Sequence, residues 1–159
     1  MADRVPMTAR GYAQLKQDLK RLKTVDRPKN VKEIEAAIAH GDLSENAEYH
    51  AAKELQGHLE ARISLIEDRL ARAQVVDLSG QTADKVRFGC TVRLEDVDTG
   101  GEVRYTIVGE DEADVSQGLI SITSPVGRAL MGKEVDDTVE VKVPKGSRQL
   151  DVLEILIES

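Results

Sequence analysis

The sequence predicts two domains of different class: an N-terminal antiparallel helical hairpin, or coiled coil, and a small α+β domain in which an antiparallel sheet packs on one short helix. On both sides of residues 40–50, apolar residues recur at the spacing of three and four that lines one helix face. After residue 90 they alternate with polar residues, which is typical of strands. Residues 74–86 show neither pattern and predict a linker, so we place the domains at residues 1–79 and 80–159.

The composition indicates a folded protein outside the membrane. Of the 159 residues, 40% are hydrophobic and 32% are charged, which is typical of a globular chain. No apolar run is long enough to cross a bilayer, and the first residues lack the apolar core of a signal peptide, so we expect a cytoplasmic protein. Cys90 is the only cysteine, which excludes an internal disulfide or thiolate zinc site and predicts a small buried side chain.

The net charge of −7 comes entirely from the second half of the chain. Residues 1–79 contain 13 acidic and 13 basic side chains, whereas residues 80–159 contain 16 acidic and 9 basic ones. An acidic domain does not neutralise DNA phosphates, so contact with nucleic acid is expected only from the first half or through a partner. A basic stretch in the first half is either a solvated face paired with acids or a surface for phosphates or a partner. It comprises Lys16, Lys20, Arg21, Lys23, Arg27, Lys29 and Lys32.

The first arm of the hairpin is predicted to begin after Thr8, a good N-cap that follows a short extended entry. Pro28 lies inside this arm, where it lacks an N–H and clashes with the preceding turn, so we expect a kink or a break at residues 27–29. The seam of apolar residues is expected to comprise Leu15, Leu19, Leu22, Val31, Ile34 and Ile38.

The second arm mirrors the first, which is the argument for an antiparallel hairpin rather than a parallel dimer. Its seam is predicted to comprise Tyr49, Ala52, Leu55, Leu59, Ile63 or Arg62, Ile66, Leu70 and Ala73. Counting outward from residues 40–50 pairs Ile38 with Tyr49, Ile34 with Ala52, Val31 with Leu55, Leu22 with Ile66, and Leu19 with Leu70. The segment between the arms is therefore the tip of the hairpin.

The tip, HGDLSENAEYH, carries carboxylates without a lysine or arginine between them. Gly41 suits the left-handed end of the first arm, and Asp42 or Ser44 can cap the second. Asp42 followed by Glu45 three residues later resembles a capping box, so helix capping is the simpler interpretation. The alternative is that the two acids bind a metal ion. The three histidines, His40, His50 and His58, lack the spacing of zinc ligands.

The second domain is predicted to contain strands at residues 91–97, 103–107, 119–122, 139–143 and 150–157. Ser124 and Pro125 are expected to start one short helix that ends at Gly132. Residues 110–114, EDEAD, are either a solvated acidic loop or a docking loop. No phosphate loop and no nucleophile beside a histidine occurs in this half, so catalysis there is not expected.

Two long segments, HGDLSENAEYHAAKE and LISITSPVGRALMGKEVDD, closely resemble the Gre family of bacterial transcript cleavage factors. The similarity extends over essentially the whole chain and includes MTARGYAQLKQDL, FGCTVRLED and YTIVGEDEAD. It implies a coiled-coil domain and an FKBP-like globular domain. It also implies that the globular domain docks on the rim of the secondary channel of bacterial RNA polymerase while the hairpin enters the channel. The docking residues implied by motif match are Asp111, Glu112, Asp114, Ser124 and Pro125.

The resemblance also assigns roles at the tip. Asp42 and Glu45 are implied to help bind a Mg²⁺ ion of the polymerase active centre, and Tyr49 and Lys53 to contact the nascent RNA 3′ end. Two carboxylates are too few for a private Mg²⁺ site, so the ion would be held mainly by the polymerase and none tightly by the isolated monomeric protein. The chain would then stimulate cleavage by the polymerase without being an enzyme itself. Ile38 and Ser44 stand where relatives often carry basic residues, which favours the branch of the family that releases short fragments.

Three other functions fit parts of the pattern. A Gre-fold inhibitor would enter the same channel, but such relatives carry a more acidic tip, whereas Asp42 and Glu45 keep the cleavage pattern. A prolyl isomerase would need an aromatic-lined pocket, and the second domain offers only Phe88 and Tyr105. For a structural coiled-coil adaptor, the tip acids would be dispensable.

Overall fold

The computed structural model describes residues 3–78, 81–144 and 146–157, and the chain divides into two compact units. The first unit comprises Met1–Arg4 and Arg10–Ala73, and the second comprises Val5–Ala9 and Gln74–Ser159. The short N-terminal segment at Val5–Ala9 therefore belongs with the second unit, although it precedes the hairpin in sequence. The predicted boundary between Ser79 and Gly80 lies outside the described residues and stays a prediction.

The first unit is a helical hairpin. Its first arm consists of helix α1 (Ala9–Arg21), a π-helical turn (Leu22–Asp26) and helix α2 (Arg27–Ala39), and its second arm is helix α3 (Ala47–Arg72). Of the predicted kink or break at residues 27–29, the break does not occur, because Asp26 and Arg27 both keep right-handed helical angles. The irregularity is the wide turn just before Pro28. Such a turn leaves room for a ring that would clash with the carbonyl of an ordinary α-helical turn.

The buried and half-buried positions of the hairpin follow a heptad pattern on α3 but depart from it on the first arm. On α3 their spacing alternates between three and four, at residues 49, 52, 56, 59, 63, 66 and 70. On the first arm they include residues 15, 19, 22, 26, 30, 34 and 37, with three consecutive spacings of four. The segment from residue 22 to residue 34 is therefore one residue longer than the same three steps of a heptad pattern, which would be four, three and four. A π-helical turn absorbs one extra residue without ending the helix, so Leu22–Asp26 keeps the buried face continuous across Pro28.

The predicted seam is wrong at three positions near the tip. The side chains of Val31, Ile38 and Leu55 are 43%, 48% and 41% exposed, so the pairs built on them are not buried. Asn30 and Ala37 occupy the core of the first arm instead, each with 2% exposure. The apolar pattern missed Asn30 because its side chain is polar. Its amide is nevertheless satisfied inside the hairpin, where Nδ2 donates to the Ala52 carbonyl at 3.0 Å.

The antiparallel direction of the two arms is confirmed by contacts along their length. Lys23 pairs with Glu67 at 3.3 Å, and the Arg27 guanidinium donates to both carboxylate oxygens of Glu60 at 2.9 Å. Nearer the tip, the Asn30 bond to Ala52 continues the same register. Two members of the basic stretch, Lys23 and Arg27, are therefore paired with acids of the opposite arm.

In the part of the chain that the structure describes, the second unit contains two sheets. Strands β1 (Val5–Thr8) and β2 (Ala73–Val76) form a two-stranded sheet. The larger sheet has the order β5-β4-β3-β7-β6. Its strands are β3 (Thr91–Asp96), β4 (Glu102–Val108), β5 (Leu119–Ser121), β6 (Thr138–Val143) and β7 (Gly146–Leu156). Pairing is antiparallel except between β4 and β5, which run parallel, so the predicted sheet is mixed at one edge rather than wholly antiparallel.

One short helix, α4 (Pro125–Leu130), follows β5 in the described residues, with Ser124 and Pro125 at its start as predicted. The core of the second unit lies under the central strands, with Val92, Leu94, Ile107, Leu130 and Val152 fully or almost fully buried. Cys90 is also buried, as predicted. Among the described residues, no helix has both the length and the apolar character needed to cross a membrane.

Candidate functional site

The tip of the hairpin is a loop of seven residues, 40–46, between α2 and α3. Gly41 has a φ of +83°, the left-handed conformation predicted for the end of the first arm. The N-cap of α3 is Asn46, whose Oδ1 accepts a hydrogen bond from the Tyr49 backbone N–H at 3.0 Å. The prediction that Asp42 or Ser44 caps this helix is therefore wrong.

Asp42 and Glu45 are both exposed. The Asp42 carboxylate accepts a hydrogen bond from the Ser44 hydroxyl at 2.9 Å, and its backbone carbonyl accepts from the Glu45 N–H at 3.3 Å. The structure gives the Glu45 carboxylate no hydrogen bond or ion pair within the described part of the chain. Because Asn46 supplies the cap, neither carboxylate is needed to start α3, and both remain available to a cation from outside.

Asp42 also has an unusual backbone conformation, with a φ of +20°. Positive φ values are uncommon for residues with a Cβ atom, although aspartate and asparagine adopt them more readily than most. The adjacent Gly41 carries positive φ as well. Within the loop of residues 40–46, Asp42 lies near the start and Glu45 near the end.

Asp42 and Glu45 are two carboxylates, fewer ligands than the coordination sphere of Mg²⁺ contains. No group of three or more His, Cys, Asp or Glu side chains within residues 3–78, 81–144 and 146–157 is arranged to hold a metal ion. The nearby Glu48 carboxylate lies 3.6 Å from Nε2 of His40, with both side chains exposed. Carboxylate oxygens are nevertheless the donors that Mg²⁺ prefers, and Mg²⁺ commonly takes only one or two of them from a protein. The tip therefore suits a partial set of ligands.

Tyr49 and Lys53 lie four residues apart on α3, one turn from the tip, and thus share a face of the helix. The Tyr49 ring is half-buried and meets the His50 ring edge to face, with centroids 5.7 Å apart. The exposed Lys53 ammonium donates to Oε1 of Gln56 at 2.8 Å. Exposed Ile38 and Ser44 are the two neutral tip residues noted in the sequence.

In the second unit, Glu112 has a structural role that the sequence did not reveal. Its carboxylate accepts hydrogen bonds from the Thr8 backbone N–H at 3.1 Å, from the Thr8 hydroxyl, and from the Gly109 N–H at 3.0 Å. It therefore ties the end of β1 to the acidic loop. Asp114 caps the 3-10 turn Val115–Gln117 by accepting from the N–H and hydroxyl of Ser116 at 3.1 and 2.6 Å.

The two segments predicted to dock on a partner lie next to each other. The Thr123 hydroxyl donates to the Glu110 carboxylate at 2.9 Å, which joins the acidic loop to the segment that starts α4. Ser124 is the N-cap of α4, with its hydroxyl oxygen 3.0 Å from the Gly127 N–H, and Pro125 is the first helical residue. The side chain of Val115 is 75% exposed between these segments in sequence. No apolar periodicity distinguishes Val115, so sequence reasoning missed it.

A charged pair with shifted pKa values joins β3 to β7. Burial acts to raise the pKa of Asp96, but hydrogen bonds from the Asp98 and Thr99 N–H groups and from Arg148 outweigh it and lower the pKa. Arg148 has a raised pKa, chiefly through a hydrogen bond with Tyr105 and also through Asp96. The Arg148 Nε lies 3.3 Å from the Asp96 carboxylate. This pair stabilises the sheet and lies in the second unit, whereas the tip acids belong to the first.

Two family models cover almost the whole chain. Residues 5–75 match the family described as transcription elongation factor, N-terminal, and residues 81–157 match transcription elongation factor, GreA/GreB, C-term. A helical hairpin with acids at its tip, joined to a small mixed-sheet domain, is thus the architecture of a transcription elongation factor. The chain belongs to the GreA/GreB family, as the sequence motifs predicted.

Within that family the chain is similar to proteins named transcription elongation factor GreA. It is 56% identical to the GreA of Hyphomonas neptunium over 97% of this chain and 98% of that protein. It is 55% identical to the GreA of Phenylobacterium zucineum over 96% of this chain and 98% of that protein. These relatives favour the elongation-factor interpretation over the inhibitor alternative.

Two solved structures align with most of the chain. The Gfh1 protein of Thermus thermophilus, described as GreA factor homolog 1, is 32% identical, with a TM-score of 0.43 over 96% of this chain and 98% of that one. A GreA/GreB elongation factor from Nitrosomonas europaea is 22% identical, with a TM-score of 0.43 over 98% of this chain and 99% of that one.

Proposed function

We propose that this elongation factor stimulates RNA polymerase to cleave the 3′ end of a backtracked transcript, with the hairpin entering the secondary channel of the enzyme. The proposal rests on the observation that the residue capping α3 is not one of the two tip acids. Asn46 caps α3, so the exposed Asp42 and Glu45 carboxylates are not needed as caps of that helix. Two spare anions at the end of a hairpin are suited to completing a cation site that another protein supplies.

Asp42 and Glu45 are the residues that would contribute oxygen ligands to a Mg²⁺ ion held mainly by the polymerase. In that setting the ion supplies charge stabilisation and activation of water for phosphoryl transfer. The chain's own contribution is to place two carboxylates three residues apart on a short loop. Since it brings only this partial donor set, the protein acts on the nuclease activity of the polymerase and is not a nuclease by itself.

Tyr49 and Lys53 support a contact with the RNA 3′ segment, because they lie on one face of α3 beside the tip. The Lys53 ammonium can attract a phosphate, and the half-buried Tyr49 ring offers a surface for stacking. Ile38 and Ser44 add no positive charge near this face. Weak binding of the RNA 3′ segment at the tip favours the release of short fragments.

Docking on the polymerase is assigned to the second unit, through the acidic loop and the start of α4. Asp111, Asp114, Ser124 and Pro125 remain the proposed contacts, with exposed Val115 as an apolar addition. Glu112 is better explained as the support of this loop, because its carboxylate accepts three hydrogen bonds from within the unit. We propose that the protein acts as a monomer in the cytoplasm.

The test uses a stalled, backtracked elongation complex incubated with the protein and Mg²⁺, followed by gel analysis of the labelled RNA. The wild-type chain should release short 3′ fragments, whereas Asp42→Asn and Glu45→Gln should each slow release by about a hundredfold or more, since they remove a charged ligand while keeping the shape. Wild-type rates in both variants would contradict the proposal. Cleavage of free RNA by the protein without polymerase would contradict it as well.

A further inference from the structure

Asn46 makes more contacts across the tip than a helix cap requires. Its Oδ1 accepts from the Tyr49 N–H, which is the capping bond. Its Nδ2 donates to the Ala37 carbonyl at 2.7 Å and lies 3.3 Å from the Gly41 carbonyl. The side chain is half-buried, and a single amide therefore joins the last turn of α2 to the first turn of α3.

The loop that Asn46 closes is the one that carries both acids. Apart from the Asn46 side chain, the loop is held by a few contacts. The Gly41 N–H donates to the Ile38 carbonyl at 3.0 Å, the Ser44 hydroxyl and the Glu45 N–H both bond Asp42, and Nε2 of His50 lies 3.2 Å from the Ser44 carbonyl. All of these bonds are exposed or short-range. The 2.7 Å bond from Asn46 to Ala37 is partly buried and shorter than the backbone bonds that join α2 to the loop, at 3.1 Å for His40 and 3.0 Å for Gly41.

We propose that Asn46 is a positioning residue, which sets the approach of Asp42 and Glu45 to a shared cation by fixing the distance between the ends of their loop. The inference rests on the proposed function, since it concerns how the same tip works. Two carboxylates can serve one cation only if the turn between them is held, and a displacement of about 1 Å can cost on the order of a hundredfold in rate. The amide donors of Asn46, rather than its capping oxygen, supply that constraint.

Asn46→Ser separates the two roles. A serine at this position still caps α3, since its hydroxyl can accept from the Tyr49 N–H, but it has no group that reaches Ala37 and Gly41. Asn46→Asp is the second variant: it keeps the size and the cap and replaces the amide donor with an acceptor, which repels the two carbonyls. Serine is the cleaner choice because it adds no carboxylate to the tip.

The matched control is Asn30→Ala. Asn30 makes the same kind of bond, from Nδ2 to a backbone carbonyl of the opposite arm, but it does so inside the hairpin and does not touch the loop. It is therefore expected to lower the thermal midpoint without changing the geometry of the acids. Cleavage is measured at a temperature where all variants are folded by circular dichroism, with polymerase occupancy saturated and Mg²⁺ varied.

We expect Asn46→Ser and Asn46→Asp to lower the maximal cleavage rate roughly ten- to a hundredfold and to raise the Mg²⁺ concentration at half-maximal rate. Binding to polymerase should stay at the wild-type level, and Asn30→Ala should cleave at the wild-type rate. Wild-type rate and Mg²⁺ dependence in both Asn46 variants, beside an inactive Asp42→Asn, would overturn this inference alone. An equal loss in Asn30→Ala would also overturn it, because hairpin stability would then explain the effect. If Asp42→Asn cleaves normally, the proposed function itself fails.

Discussion

Single side chains decide which groups of this protein face inward and which are left for a partner. At the tip, Asn46 takes the capping role, and Asp42 and Glu45 stay exposed. In the second unit an acid does have a structural role. Glu112 looks like one of several surface acids in the sequence, but its carboxylate accepts three hydrogen bonds inside the fold. Sequence could name the candidate acids through their motif. It could not separate acids with a structural role from acids left for a partner, because the difference lies in the hydrogen-bond donors that surround each carboxylate in the fold.

Glu112→Gln should destabilise the second unit. The glutamine oxygen can replace the carboxylate oxygen that accepts from the Thr8 and Gly109 N–H groups, but it carries no charge, so both bonds become weaker. The Thr8 hydroxyl, which donates to the other carboxylate oxygen, would have to turn and accept from the glutamine NH₂ group. Hydrogen bonds to a charged group contribute about 1.5–3 kcal/mol each, and we expect a loss within that range. The free energy of unfolding in urea measures it. Glu140→Gln, the same change at an exposed glutamate of β6, is the control and should cost less; an equal cost would contradict the structural role of Glu112.

At the scale of elements, sequence patterns predicted the hairpin, the position of its tip and the short helix α4. They failed at two features that apolar spacing does not encode: the residues that enter the hairpin core after the π-helical turn, and the direction of β5. The apolar pattern placed Val31 in the core, but the buried face that continues through the π-helical turn reaches Asn30, one position beyond the Lys29 of an uninterrupted heptad. Likewise, an alternating pattern identifies β5 as a strand but is silent on direction, which the crossover past Gly118 makes parallel to β4.

The π-helical turn predicts an asymmetry between two deletions, both made in a Pro28→Ala background to remove the ring clash. Deleting Val25, which is 53% exposed inside the turn, should convert it to α-helix and keep spacings of three and four. Deleting Glu35 in α2 should instead rotate Ala37 out of the core and break its bond with Asn46, at a cost above about 2 kcal/mol. Thermal midpoints compare the two. Equal losses would show that the turn does not absorb the extra residue.

The bond between β3 and β7 at Asp96 and Arg148 predicts a pH dependence. Since the pKa of Asp96 is lowered by folding, the folded state binds the proton less readily, so this stabilisation is present above about pH 4, the ordinary pKa of aspartate, and is lost as the pH falls through the lower folded value. Asp96→Asn has no such titration. The gap in urea midpoint between wild type and Asp96→Asn should therefore be wide at pH 7 and narrow at pH 3. A gap that stays constant would exclude Asp96 as a contributor to acid sensitivity.

For the whole molecule, the two units divide the proposed work between them: the second binds the polymerase and the first delivers the acids. A chain that keeps its docking surface but lacks the tip charges should therefore occupy the enzyme without activating it. Added in excess to wild-type protein, Asp42→Asn/Glu45→Gln should suppress cleavage of a backtracked complex in proportion to the share of polymerase it occupies. The same double variant with Val115→Asp, which places a charge on the exposed apolar residue of the proposed docking surface, should suppress it less. If the double variant failed to compete at any excess, the tip acids would be needed for binding, and the assignment of docking to the second unit would be wrong.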